Sequence, residues 1–134
     1  MAEMTESPAE SRAYLDPKSE ETFRRLWASL FYSGQTTGKS VMICSADSRE
    51  GATTIACGLA LAGSSPAGVA RVALVDMNFR RPAGHKLLGV DQAPGLTEIV
   101  IDGQAPETVA QRVNPGLDVY PVGRGEDRAL EVLR

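Results

Sequence analysis

Residues 45–54 read Ser-Ala-Asp-Ser-Arg-Glu-Gly-Ala-Thr-Thr, a polar stretch that opens a run rich in alanine and leucine. Its spacing is that of a phosphate-binding loop. In such a loop, backbone N–H groups and a helix N-terminus wrap the phosphates, a lysine neutralises terminal charge, and a Ser or Thr hydroxyl holds Mg²⁺. Laid on that pattern, Ala46 stands at the first glycine, Gly51 at the second, Ala52 at the lysine and Thr53 at the metal-binding hydroxyl, with Thr54 leading into the helix. The lysine is absent. Arg49, within the loop, is placed to bring a guanidinium near a phosphate instead. Glu50 beside it has no assigned chemistry. Thr53 also suits a helix N-terminus for local reasons alone.

A second stretch, SGQTTGKS at 33–40, ends in Gly-Lys-Ser but has three residues between Gly34 and Gly38 where a phosphate loop has four. It also precedes an apolar run, whereas ligands of parallel α/β sheets sit beyond the carboxyl ends of strands. It reads as a linker whose Lys39 begins a strand. Asp76 closes the apolar run RVALVD at its carboxyl end, where an ordinary polar exit residue also fits, and Arg80 and Arg81 follow it as a charged pair. His85, the sole histidine, has no metal-ligand spacing around it and reads as packing. Cys44 and Cys57 fit no metal spacing and read as core-filling thiols.

These residues need a framework. A chain of 134 residues is one domain, large enough for a real core. A net charge of −3 and a pI near 5.2 argue against nucleic-acid binding driven by phosphate contacts. The first residues lack the basic start and apolar core of a secretory signal, and no apolar run approaches bilayer length.

Residues 1–16 are acidic and aperiodic and read as a disordered arm. Pro17 opens a helix with Phe23, Leu26, Trp27, Leu30 and Phe31 on one face, and 17–38 forms this helix with its linker. From residue 39 onward, strand KSVMICS, a helix over 52–63, strand RVALVDMN, a long loop with one helical turn, short helices LTEIVIDG and PETVAQRV, strand LDVYPVG and a final helix alternate. Strand alternating with helix predicts an α/β fold with a parallel sheet, RVALVD being apolar on both faces.

From Asp16 onward the chain resembles the P-loop domain of the bacterial tyrosine autokinases (BY-kinases) of capsule and exopolysaccharide assembly. The resemblance runs through DPKSEETFRRLWASLFYSG, VMICSADSREGATTIACGLALA, RVALVDMNFRRPAGHKLLGV, APGLTEIVIDG and LDVYPVGR, in that order. DMNFRRP with HKLLGV and PGLTEIV is its most specific part. It implies a three-layer P-loop sheet over 39–134. It places Arg49, Glu50, Gly51, Ala52, Thr53 and Thr54 in the nucleotide loop, and Thr53 and Asp76 near Mg²⁺. Asp76 would be the catalytic aspartate, Arg80 and Arg81 the following arginine pair, and Glu21 and Arg24 members of a helix motif for homo-oligomerisation. ATP and Mg²⁺ are the implied cofactors if the site is active, and none if it is not.

The chain departs from the pattern at telling places. Ala52 replaces the lysine, Asn78 replaces the second aspartate of the Asp-x-Asp, and Trp27 replaces the last arginine of the helix motif. The family's Walker B strand and tyrosine cluster have no counterpart, so the sheet reads as incomplete. The resemblance thus implies a degenerate kinase-like protein in the cytoplasm, held at the inner face of the membrane by a membrane-embedded chain-length regulator (a polysaccharide co-polymerase). The alternative is an active ATP-dependent tyrosine autokinase. A partitioning-type ATPase is a weaker reading, since it also needs the lysine.

Overall fold

A computed structural model describes residues 16–32, 40–64, 71–125 and 128–134. Asp16 caps the first helix, α1 (Pro17–Phe31), by accepting the Lys18 and Ser19 N–H groups, both at 2.9 Å. Asp16 is therefore part of the helix start rather than the arm. The remainder of that arm and the SGQTTGK linker lie outside the described residues.

The apolar face of α1 packs chiefly on α2 (Ala52–Gly63). The contact relies on two glycines of α2. A Cβ on Gly58 would meet the Phe23 ring at 2.5 Å, and one on Gly63 would meet the Trp27 ring at 2.5 Å. Trp27 also stacks on Phe31 with ring centroids 4.1 Å apart. Trp27, which departs from the family motif, is thus a packing residue of this helix pair.

This notch makes a prediction. Gly58→Ala should gain about 1 kcal/mol of helix propensity but lose about 1–3 kcal/mol to overpacking against Phe23. The variant is expected to be less stable in urea melts. In a Phe23→Ala background the same change should stabilise. An equal effect in both backgrounds would show that the ring is not seated on Gly58.

The sheet has three strands in the order β1-β3-β2: β1 (Val72–Val75), β2 (Gln111–Asn114) and β3 (Leu117–Tyr120). β1 and β3 are parallel, with Val72 opposite Leu117 and Val75 opposite Tyr120. β2 runs antiparallel to β3, so the sheet is mixed rather than all-parallel. The cause is local. Asn114 accepts the Gly116 N–H at 2.8 Å, and this Asx turn folds Gln111–Asn114 back as a hairpin. The helix expected over PETVAQRV stops at α5 (Pro106–Val109).

Cys57 and Ala60 of α2, Leu88 of α3 (Gly84–Leu88), and Leu117 and Val119 of β3 form the main core. These side chains cover one sheet face. On the other face Ala73, Val75 and Arg112 are exposed, so β1 is not buried on both faces as its composition predicted. Residues 41–45 form no strand among the described residues. No neighbouring strand takes their ladder bonds, Val41 and Met42 stay exposed, and Cys44 is exposed rather than core-filling. The α/β class stands; the described layers are one mixed sheet with α2 and α3 on one side.

α4 (Leu96–Val100) and α6 (Ala129–Val132) close the remaining end. There Phe79 and Val122 are buried together, with Leu96 and Val132 against them. An Arg128–Asp102 ion pair ties the two helices' flanks.

Candidate functional site

The loop before α2 turns on two left-handed residues, Arg49 at φ 65° and Gly51 at φ 88°. Gly51 is the helix N-cap and provides no side chain, so α2 begins with unsatisfied N–H groups. A Cβ there would meet nothing within 4 Å, which leaves the mouth of the loop open. The loop's carboxylates are already engaged with its backbone. Glu50 Oε2 accepts the Asp47 N–H at 3.1 Å, and Asp47 Oδ1 accepts the Ser48 N–H at 2.7 Å. Ala52 and Thr53 are half-buried and Thr54 is exposed; Arg49 is exposed and forms no ion pair among the described residues.

Asp76 lies just past β1, its N–H donating to the Tyr120 carbonyl at 3.0 Å. Both of its oxygens are used: Oδ1 accepts the Asn78 N–H at 2.9 Å and Oδ2 the Gly84 N–H at 3.2 Å. A Cβ on Gly84 would stand 3.1 Å from Oδ2, so the two groups are in tight contact. Asn78 in turn accepts the Arg81 N–H at 3.2 Å. The second Asp-x-Asp position therefore shapes the turn into Arg80-Arg81. Arg80 and Arg81 are exposed and unpaired among the described residues, and the buried Phe79 ring anchors them.

Two neighbours sense Asp76. Burial, and then the Asp76 charge, push the Cys57 thiol up to about 12, so it is an inert packing group. His85 is 8% exposed and its Nδ1 has no hydrogen-bond partner. Burial, then Lys86, hold its pKa below the ordinary value against the opposing pull of Asp76 and Asp91. Both residues pack, as the sequence suggested for Cys57 and His85.

Without its lysine the loop lacks a charge that a magnesium–triphosphate calls for, while Asp76 keeps lone pairs beyond its two N–H bonds. One loop N–H is taken by Glu50. No three His, Cys, Asp or Glu side chains cluster as a metal site among the described residues. No hydrogen bond among the described residues joins the 45–51 loop to Asp76, Arg80 or Arg81. Glu21 and Arg24 lie on the exposed side of α1, where Arg24 pairs with Glu20 and, at 3.8 Å, with Glu21.

Sequence reasoning missed Glu98. It is 4% exposed, and its carboxylate accepts the Gly95 N–H at 2.6 Å, the Thr97 hydroxyl at 3.1 Å and the Arg124 N–H at 3.0 Å. It thereby fixes the strand exit 121–125, whose Val122 is buried against Phe79. The signal was present: Gly95 and Glu98 have the N-cap and N3 spacing at which a glutamate reaches back to the cap N–H.

Known proteins place this geometry in context. Over 125 residues, 90% of the chain, it is 32% identical to tyrosine-protein kinase YwqD of Bacillus subtilis (strain 168). Over 64 residues, 47% of the chain, it is 38% identical to tyrosine-protein kinase ptk of Acinetobacter johnsonii. The match spans 52% of the first relative and 9% of the second. No family model and no solved structure matches. The two relatives support a likeness to bacterial tyrosine kinases. No helix among the described residues is long and apolar enough to cross a membrane.

Proposed function

We infer that this chain is a kinase-like P-loop domain of the bacterial tyrosine kinase family that no longer transfers phosphate. In this reading it acts in capsule or exopolysaccharide assembly as the cytoplasmic partner of a membrane-embedded chain-length regulator, which holds it at the membrane. Ala52 is the observation that carries the loss of activity. Phosphoryl transfer depends almost wholly on positioning and charge stabilisation. Losing one such charge costs about 3 kcal/mol or more of transition-state stabilisation, judged by a lost oxyanion donor.

Electrostatics supports the reading. Asp47 and Glu50 against Arg49 leave the loop with one net negative charge, where a triphosphate needs positive charge. Glu50 stands on the Asp47 N–H as a ligand oxygen would. The polysaccharide setting rests on the resemblance carried by DMNFRRP and PGLTEIV, and the kinase relatives support the kinase likeness alone.

An active autokinase is the second reading, favoured by Arg49 in the loop, which forms no ion pair among the described residues. Incubation of the purified chain with ATP and Mg²⁺, followed by phosphotyrosine detection and ADP release, separates the two. The expected result is neither product above a no-protein control. Phosphotyrosine that disappears in Arg49→Ala or Asp76→Ala would overturn the inactive reading.

A further inference from the structure

The sheet face opposite the core carries a depression of about 470 Å³ lined by Arg71, Glu107, Ala110, Arg112, Asp118 and Tyr120. None of these residues belongs to the loop or to the Asp76 turn. It is an open, largely polar hollow, with the Arg71 and Arg112 side chains facing solvent.

We propose that this depression binds a small ring compound bearing one oxyanion, held between Arg71 and Arg112 with its ring against Tyr120. Asp118 organises the site. Its Oδ2 accepts from Arg71 Nη2 at 3.2 Å and its Oδ1 from Arg112 Nε at 3.0 Å. One carboxylate therefore draws two guanidiniums together, and each spends only one donor on it. Most of the N–H groups of both remain for a ligand, in the fork geometry that suits phosphate or carboxylate. The Asp118 side chain is 21% exposed, whereas Arg71 and Arg112 are 73% and 59% exposed. The buttress is thus sheltered while the binding edges face solvent. Preorganisation of this kind reduces the ordering cost of binding.

Charge sets the valence of the ligand. The arginine pair against Asp118 leaves one positive charge locally, and Glu107 brings the lining as a whole to neutral, so the anion must sit at the two guanidiniums. Glu107, lining the same depression, repels a second anionic group and can accept from a ligand hydroxyl or N–H. Strand alternation puts Asp118 and Tyr120 on one face, with Leu117 and Val119 buried on the other, so this site is independent of the core.

The test is an NMR titration of the ¹⁵N-labelled chain at constant ionic strength with phenyl phosphate and, separately, benzoate. Sodium sulfate serves as the ringless control. Saturable shifts are expected at the Arg71, Arg112, Asp118 and Tyr120 amides, and the two ring probes decide between phosphate and carboxylate. Arg71→Gln and Arg112→Gln should each weaken binding at least about fivefold through the lost charge-assisted bonds. Tyr120→Ala should weaken the ring probes and leave the sulfate response unchanged. Asp118→Asn should also weaken binding, because the guanidiniums lose their shared anchor. Non-saturating shifts, an unchanged affinity in Arg71→Gln, or an equal response to sulfate would overturn the proposal. Arg71 lies outside the β2–β3 pairing, so its variant decides the matter even if Arg112→Gln fails to fold.

Discussion

Glu98→Ala is expected to destabilise the fold by about 3–5 kcal/mol, the largest effect of any single side chain outside the apolar core. The substitution strands the buried Gly95 N–H and Thr97 hydroxyl beside a carboxylate position that is 4% exposed, and removes the acceptor of the N–H of the exposed Arg124. Each buried group left without a partner costs about 1–3 kcal/mol. The surroundings cannot relax inward to compensate. A Cβ on Gly95 would overlap the Pro121 carbonyl, and one on Gly123, at φ 92°, would overlap Thr97 and Glu98. The backbones are therefore already in contact. Leu96 N–H to Pro121 O at 2.7 Å and Thr97 N–H to Val122 O at 3.1 Å bind the same two segments. Glu98→Gln keeps one acceptor oxygen but turns an amide N–H₂ toward a donor, and should cost about 1–3 kcal/mol. Thermal melts should rank native above Gln above Ala. An Ala variant within a few degrees of native would mean that water replaces the carboxylate.

The same carboxylate gives a pH dependence of defined sign. Burial alone would raise the Glu98 pKa, but the Gly95 and Arg124 N–H groups, its own N–H and the Thr97 hydroxyl outweigh it and hold the value below 4.5. A depressed folded-state pKa contributes stability that is fully present above the unfolded value and lost as pH falls through the folded one. Native protein should therefore lose stability on acidification below about pH 4.5, more steeply than Glu98→Gln, which has no proton to take up there.

Local patterns were legible in the sequence, whereas pairing was not. The face of Phe23, Trp27 and Phe31 predicted α1, and Val72–Val75 and Leu117–Tyr120 read as strands from composition alone. VMIC has the same composition but forms no strand, because a strand exists only where another backbone lies beside it. Gln111–Asn114 was missed for the opposite reason. It holds one apolar residue, Val113, and is made a strand by the Asn114 turn that delivers it to β3. The phosphate-loop spacing, Asp76 and the arginine pair were readable as residue types. What the sequence could not convey was that the loop's carboxylates and both Asp76 oxygens accept backbone N–H groups. Asp118 likewise read as a polar residue in a strand until its two arginines, 47 and 6 positions away, came to it.

Restoring the lysine is the experiment with the largest expected functional effect. Ala52→Lys should convert a chain with no saturable heat on titration with ATP and Mg²⁺ into one that binds. The gain is about 100-fold or more in affinity if a full charge-assisted contact, about 3 kcal/mol, is recovered. The fold should tolerate it: residue 52 is the first of α2 and half-buried, and a lysine there opposes the helix dipole by only about 0.3–1 kcal/mol. Glu50→Ala provides the second arm, since it frees the Asp47 N–H and removes a negative charge from the loop. If the carboxylate is the main obstacle, Glu50→Ala alone should bind weakly and the double variant best. If lysine is the main deficit, Glu50→Ala alone should stay silent while Ala52→Lys binds. Failure of the double variant to bind would mean that the 45–54 loop does not wrap phosphate even when its charge is repaired. Micromolar binding by the native chain would transfer the role to Arg49 and favour the active kinase.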